Sequence, residues 1–290
     1  MDGVANAVVV VGSLHYDIIV DAPGLPARDE TMVGLRWYPK FGGKGGNQAV
    51  AAARFGADTR MLGAVGGDAF GGFLVDQLRL AGVSLDFIGR DAAAASGMSI
   101  AISDPAGDYA AVIVSGANLG IDPARLGDDR LWHRAAVLVL QNEVAPALNL
   151  AAARQAKARG VRVAWNAAPV RAEDADLAGL IDVLIVNTVE AEAMTGIAVA
   201  ALAQAEAAAG VLAARFPLAV VTAGGAGVAV HQRDGQRFSL PALPVRVIST
   251  HGAGDMFCGV LAAALAGGAE IFDAVRQANA AAAAHVAGGV

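Results

Sequence analysis

Seven residues, Ser249-Thr-His-Gly-Ala-Gly-Asp255, stand immediately before an apolar run, Met256 to Ala266, that reads as a helix. The two glycines let the backbone turn sharply and bring successive N–H groups to one point. A helix starting there adds its unpaired amides and the positive end of its dipole. Gly252, Ala253 and Gly254 would then form an anion hole suited to a phosphoryl group. Asp255 falls in the first turn and can face the same point, where a carboxylate is well placed to take a proton from an attacking hydroxyl. An ordinary helix start with Asp as a capping residue would read the same way. A second segment, Phe41-Gly-Gly-Lys-Gly-Gly-Asn-Gln48, also leads into a helix. Its four glycines permit close backbone approach to a ligand, and Lys44 and Asn47 add polar donors. The competing reading is a flexible surface loop with a solvated lysine.

Other chemistries lack their residues. Lys44 is followed by Gly45 and Gly46 rather than Ser or Thr, so there is no P-loop. The turn after the first apolar run, Gly12-Ser-Leu-His-Tyr-Asp17, holds one glycine, which disfavours a nicotinamide-binding site. The five histidines offer no pair at zinc-ligand spacing, and there is no thiolate cluster. The single cysteine, Cys258, sits in an apolar helical run and reads as a buried, inert thiol.

Composition narrows the class further. The 290 residues are 56 % hydrophobic but only 5 % aromatic, so Ala and Val must bring backbones close together. A charged content of 17 % argues against extensive disorder. The net charge of −6 without a basic block excludes a sequence-independent hold on nucleic acid. A mean hydropathy of +0.51 raises the question of membrane insertion. Yet the apolar runs are broken by Glu270, Pro217 and several glycines before about 18 residues, so no transmembrane helix is expected. The first residues lack the basic start of a secretory signal, and one cysteine allows no internal disulfide, which together fit a cytoplasmic protein.

These residues need elements to hold them. Asn6 to Val11 reads as a fully buried strand. Tyr16 to Asp21 and Thr31 to Tyr38 alternate and read as half-exposed antiparallel strands outside the main sheet, as do Ser99 to Ser103 and Tyr109 to Ser115 around the turn Asp104-Pro-Ala-Gly107. A helix is expected over Asn47 to Phe55, a strand over Asp58 to Val65 and a helix over Phe70 to Ala81. Strands and helices then alternate to the end of the chain, which implies an α/β fold with a mainly parallel sheet. The alternating pieces are assigned to a small β lid, residues 16–38 and 96–115, on a single domain covering residues 1–290.

In order and separation, the two glycine-rich segments resemble the signature regions of the PfkB (ribokinase-like) carbohydrate kinase family. The first covers Gly42 to Gly71 and includes Gly63-Ala-Val-Gly-Gly-Asp68; the second covers Thr250 to Gly259. Gly12 to Asp17, Asn187-Thr-Val-Glu190 and Thr222-Ala-Gly-Gly-Ala-Gly227 look like three further motifs of that family, so the resemblance spans nearly the whole chain. It implies a ribokinase-like three-layer fold and an enzyme that phosphorylates a hydroxyl of a small sugar with ATP and Mg²⁺. A nucleoside kinase of the same fold is the second reading. By similarity Asp255 is the base, and the amides of Gly252, Ala253 and Gly254 hold the transferring phosphate. Asp17, Gly43, Lys44, Asn47 and Glu143 would hold the acceptor, Asp17 by accepting two hydroxyl protons. Thr222, Gly224 and Gly227 would line the nucleotide, with Asn279 beside the adenine. Asn187 and Glu190 would organise phosphate and Mg²⁺, Glu190 through water. The lid would close over the acceptor and exclude water, and its open strand edges would allow a homodimer.

Three positions depart from the family pattern. His15 stands where sugar-binding relatives usually carry Asn, which suggests a larger acceptor such as a nucleoside with a base to stack on, or else a ring that only packs the lid. His251 replaces a Thr or β-branched residue. Ser249 replaces an Asp that helps bind a monovalent cation, and relatives usually continue past the last Ala-rich helix through a segment completing that cation loop. At most weak potassium stimulation is therefore expected.

Overall fold

The computed structural model describes residues 6–105 and 109–289. Among them are thirteen strands: β1 (Ala7–Val11), β2 (His15–Asp21), β3 (Arg36–Gly42), β4 (Asp58–Gly66), β5 (Ile88–Asp91), β6 (Met98–Ser103), β7 (Tyr109–Val114), β8 (Ala135–Gln141), β9 (Arg162–Asn166), β10 (Val183–Val186), β11 (Leu218–Thr222), β12 (Val228–Gln232) and β13 (Arg237–Leu240). The helices are α1 (Lys44–Arg54), α2 (Ala69–Leu80), α3 (Asp129–Trp132), α4 (Pro146–Ala158), α5 (Ala175–Ala178), α6 (Thr188–Thr195), α7 (Leu202–Ala213), α8 (Ala253–Ala266) and α9 (Ile271–Val286).

Nine strands form one sheet in the order β13-β12-β11-β10-β9-β8-β1-β4-β5. All its neighbours pair in parallel except β11–β12 and β12–β13. The strand β1, Ala7 to Val11, is a continuous apolar run because it lies inside the sheet with both faces covered. Val9 and Val11 point into a core with α4 and α7, and Val8 and Val10 into another with α1, α8 and α9. The result is a three-layer α/β sandwich. From β1 the chain order runs outward in both directions, to β4 on one side and β8 on the other. That makes a topological switch point, beyond whose strand ends an open α/β sheet opens a crevice.

The high hydropathy is explained by α8. Its residues Asp255 to Ala266 are all buried, as expected for a helix that is apolar on every side. Among the described residues no helix is long and apolar enough to cross a membrane.

A second, four-stranded sheet has the order β3-β2-β6-β7, with β2–β6 parallel and both outer pairs antiparallel. It departs from expectation in one strand. Thr31 to Gly34 are not extended partners; β3 instead runs Arg36–Gly42, so the strand leads directly into the glycine-rich segment. The expected turn at Asp104 to Gly107 lies partly outside the described residues. Where this sheet leaves the body, Asp68 ties three points together. Its carboxylate caps α2 by accepting from Gly71 N (2.8 Å) and also accepts from Ser96 N (2.8 Å) and Ser96 Oγ (2.6 Å). Burial works against its charge, but the hydrogen bonds from Ser96 and Gly71 outweigh it and hold the carboxyl below its ordinary value. Asp68→Ala is expected to lower stability by about 1–2 kcal/mol at neutral pH, the usual cost of a lost cap. A depressed carboxyl stabilises above its unfolded pKa and loses that contribution as pH falls through the folded value. The gap between wild type and variant in urea unfolding should therefore narrow in acid.

Candidate active site

The crevice is built from the ends of parallel strands. β1 leads to Ser13, β8 ends in Gln141 and leads to Glu143, β9 ends in Asn166, β10 leads to Asn187, and β11 ends in Thr222, while His15 opens β2 of the smaller sheet. The two glycine-rich segments reach it as helix N-termini. Lys44 lies in the first turn of α1, three residues earlier than the expected helix start, and Gly43 is the N-cap with φ 85°. Gly252 is the N-cap of α8 with φ 85°, a left-handed conformation that glycine adopts without strain. Lys44, Asn187, Thr222, Gly252, Gly254 and Asp255 line one cavity of about 160 Å³, together with Asn166 and Cys258. Residues separated by more than two hundred positions thus share one wall.

Asp255 is buried at the floor. Its Oδ2 accepts from Asn47 Nδ2 (3.1 Å) and its Oδ1 from Gln48 Nε2 (2.9 Å). Burial raises its pKa, against the field of Lys44 and the bonds from Gln48 and Asn47. The opposite holds for Lys44. Burial opposes its charge, yet Asp255, Glu143 and Glu190 outweigh that and keep the ammonium firmly protonated. A fixed positive charge therefore stands beside the Asp255 carboxylate and the α8 N-terminus, where an anion would be drawn. The anion hole differs from expectation in one amide: Ala253 N donates to Thr250 O at 3.2 Å. Gly254, a first-turn amide, has no intrahelical acceptor, and Gly252 precedes it on the same turn.

The residues assigned to the acceptor gather on the side of β1 and β2. Glu143 Oε2 accepts from Ser13 Oγ (2.5 Å) and from Lys44 N (2.8 Å), fixing the start of α1, and lies 3.9 Å from His15 Nδ1. Asp17 accepts from Ser99 Oγ (2.6 Å) and is raised in pKa by burial. Tyr16 stacks on Phe70 at 4.0 Å, bracing the smaller sheet on α2. His15 is 2 % exposed, and its Nε2 is buried without a partner. No open ring face is left on which a base could stack.

The remaining positions play parts that spacing alone did not show. Asn187 and Glu190 form a capping box on α6: Asn187 Oδ1 accepts from Val189 N and Glu190 N, and Glu190 Oε2 from Asn187 N (2.9 Å). Glu190 borders a neighbouring cavity with Trp165, Arg171 and Met194 rather than the one that holds Asp255. Gly224 opens a single 3-10 turn after β11. Gly227 packs against Leu240 O and Pro241, and Asn279 Nδ2 donates to Pro241 O (3.0 Å), so both brace one loop beside the crevice. Cys258 is buried, and burial pushes its thiol far above the range of a reactive cysteine. Gln48, Gln141 and Asn166, absent from the expected site, are buried within it. Their signal in the sequence was only that of polar residues interrupting apolar runs.

Comparison with known proteins follows the same lines. The profile of the family described as "pfkB family carbohydrate kinase" matches residues 5–288. Mouse ribokinase is 37 % identical over 266 residues, covering 90 % of this chain and 82 % of that protein. The structure of Arabidopsis thaliana ribokinase complexed with ribose and ATP superposes with a TM-score of 0.89 at 28 % identity, covering 97 % of this chain and 93 % of that one. A Burkholderia thailandensis nucleoside kinase in complex with inosine superposes with a TM-score of 0.79 at 22 % identity, covering 97 % and 91 %, a likeness of fold alone.

Proposed function

The chain belongs to the pfkB family of carbohydrate kinases, phosphotransferases with an alcohol group as acceptor, and from that premise we propose that it transfers the terminal phosphoryl group of ATP to a hydroxyl of a small sugar of the ribose type. The observation that carries this reading is the Asp255 carboxylate, buried at the N-terminus of α8 in a cavity shared with Lys44, Gly252 and Gly254. Asp255 takes the proton as the acceptor O–H bond breaks. The oxygen then forms a bond to the terminal phosphorus, and the bond to the bridging oxygen breaks as ADP leaves with its electron pair. The Gly252 and Gly254 amides and the Lys44 ammonium meet the negative charge spread over the transferring group. Catalysis of this kind is mostly positioning plus electrostatics, which suits a site built from two helix N-termini.

Asp17, Asn47, Glu143 and Gly43 hold the acceptor in this reading, with the enclosed His15 ring packed behind them beside Glu143. Thr222, Gly224 and Gly227 line the nucleotide, and Asn279 braces its far side. Mg²⁺ at such sites keeps much of its water and is held by few carboxylates, and the carboxylate present for it is Glu190, whose field reaches Lys44. Glu190 would hold it through water, with Asn187 beside the phosphates; when bound, the ion neutralises phosphate charge. Two observations favour a sugar over a nucleoside acceptor. The His15 ring is enclosed, and by structural superposition the Arabidopsis ribokinase stands at 28 % identity and a TM-score of 0.89, against 22 % and 0.79 for the nucleoside kinase. The test is ADP release from ATP with ribose, fructose, adenosine, inosine and pseudouridine in turn. Turnover confined to a sugar is expected; turnover confined to a nucleoside would replace this reading with the second one.

The smaller sheet acts as a lid in this reading, with Asp17 as its arm into the site. The sheet and the segment leading into β3 expose Val33, Leu35, Trp37, Val112 and Ile113, Trp37 at 66 %. Covering so apolar a surface favours a homodimer through the lid, which light scattering would show as a doubled mass. Potassium should stimulate weakly. Ser249 lacks a carboxylate, His285 Nε2–H donates to His251 O (3.0 Å), and Val286 O accepts from Ile248 N (2.9 Å). A rate rising many-fold with K⁺ over Na⁺ would contradict this. A cytoplasmic location, where ATP is supplied, fits the single buried thiol.

A further inference from the structure

Gln48 is fully buried in the seam between α1 and α8, among Ala49, Ala51 and Ala52. An amide in such a place is costly unless its hydrogen-bonding capacity is met. Here both hydrogens and the oxygen have partners. The two Nε2 hydrogens go to Asp255 Oδ1 (2.9 Å) and Asn166 Oδ1 (3.1 Å), and Oε1 accepts from Gln141 Nε2 (2.8 Å). Asn166 is itself anchored by donating to Ile185 O (3.2 Å), which fixes its oxygen toward Gln48. The backbone carbonyl of Gln141 accepts from Asn149 Nδ2 (2.6 Å), while its side-chain Oε1 is buried without a partner. The amide therefore has one arrangement. Reversed, its oxygen would face a carboxylate oxygen and an amide oxygen, and its NH₂ would face the NH₂ of Gln141. If packing alone mattered, Met or Leu would fill this space without desolvating a polar group.

We propose that Gln48 is a positioning residue for the phosphoryl transfer: its amide, oriented by Gln141 and Asn166, holds the Asp255 carboxylate at one angle, as an acceptor aimed at the incoming hydroxyl. This rests on Asp255 being the base. Asn47 fixes the other carboxylate oxygen from one residue earlier on the same helix, so consecutive side chains of α1 grip both oxygens. Because a donor to the charged form favours that form, Gln48 also keeps Asp255 ionised against its burial. The charged and titratable groups around Asp255 are Lys44 on α1, Glu143 after β8, His251 before α8 and Cys258 on α8. None of them is removed by changing Gln48.

The test uses the full chain with two uncharged variants, Gln48→Met, which keeps the volume, and Gln48→Leu, which is apolar and nearly as large; neither adds a titratable group beside Asp255. Both should bind ATP within about twofold of wild type by calorimetry. Both should lose about tenfold or more in kcat at neutral pH, with the acid limb of kcat/KM moved upward by about one pH unit, the scale of one hydrogen bond to a charged group. A role in packing alone would lower the melting temperature and leave the limb in place, and an unmoved limb in folded variants overturns the proposal. If either variant unfolds, Gln141→Met, which removes only the group orienting the amide, should move the limb in the same direction; no movement there overturns it equally. Asp255→Asn measured in parallel separates the two readings. If it retains turnover, the base assignment falls and takes this inference with it. If it is inactive while the Gln48 limb stays put, only this inference falls.

Discussion

Asp255→Asn is expected to bind ATP as wild type does and to lose about two to four orders of magnitude in kcat, the usual share of a general base. The substitution keeps the shape of the side chain and both of its amide neighbours, Asn47 and Gln48. It removes the ability to accept a proton and, because an amide offers one acceptor oxygen, also turns its NH₂ toward one of these two donors. In wild type the acid limb of kcat should lie above the ordinary carboxylate range, because burial raises the Asp255 pKa more than Lys44, Gln48 and Asn47 lower it. Below that raised value the base is protonated and turnover falls. The stability linkage has the opposite sign to that of Asp68. A carboxyl raised in the folded state binds its proton more tightly there, so its contribution declines as pH climbs from the unfolded value through the folded one. Asp255→Asn should flatten that slope in a pH series of denaturant unfolding. Turnover within tenfold of wild type would remove Asp255 from the mechanism.

The parts of this site that could be read from sequence were those written in short stretches. The glycines before α8 and α1 announce helix starts where backbone must come close, and Asp255 lies one residue beyond the second of them. Buried strands such as β1 and β10 are continuous β-branched and Leu runs, and their ranges fell within a residue or two of expectation. Edge elements were harder. β5 is four residues, Ile-Gly-Arg-Asp, three half-buried and Arg90 exposed, with no alternation to betray it. β3 carries Pro39, which is tolerated because β3 is the edge of its sheet, and the pattern before it reads more like a strand than the strand itself. The start of α1 was misplaced because Gly45 and Gly46 are poor helix formers. Packing overrules that preference: a Cβ on Gly45 would lie 2.6 Å from Gly12 C and Ser13 N. The polar network was illegible for a different reason. Gln48 meets Gln141, Asn166 and Asp255 across 93, 118 and 207 residues of chain. No local pattern records such a meeting, so only the fold shows it.

That close packing makes Gly259 the position where fold and chemistry are most tightly joined. It lies one turn beyond Asp255 on α8, facing α1, and a Cβ there would stand 2.4 Å from Gln48 O and 2.5 Å from Ala51 Cβ. Neither neighbour is the end of a flexible side chain, so α1 and α8 must move apart to admit a methyl group. Gly259→Ala is expected to lower stability by about 1–3 kcal/mol, the range for overpacking a well-filled core, despite the gain in helix propensity from Gly to Ala. The displaced backbone is that of Gln48 itself. Its amide would draw back from Asp255, and Asn47 on the same turn would shift with it. The variant should therefore lose about tenfold in kcat even at temperatures where it is fully folded, with its acid limb displaced upward as in the Gln48 variants. Thermal unfolding gives the first effect and a pH series of turnover the second. If stability falls while kcat and its pH profile stay at wild-type values, the α1–α8 seam serves the fold alone and does not set the geometry of the base.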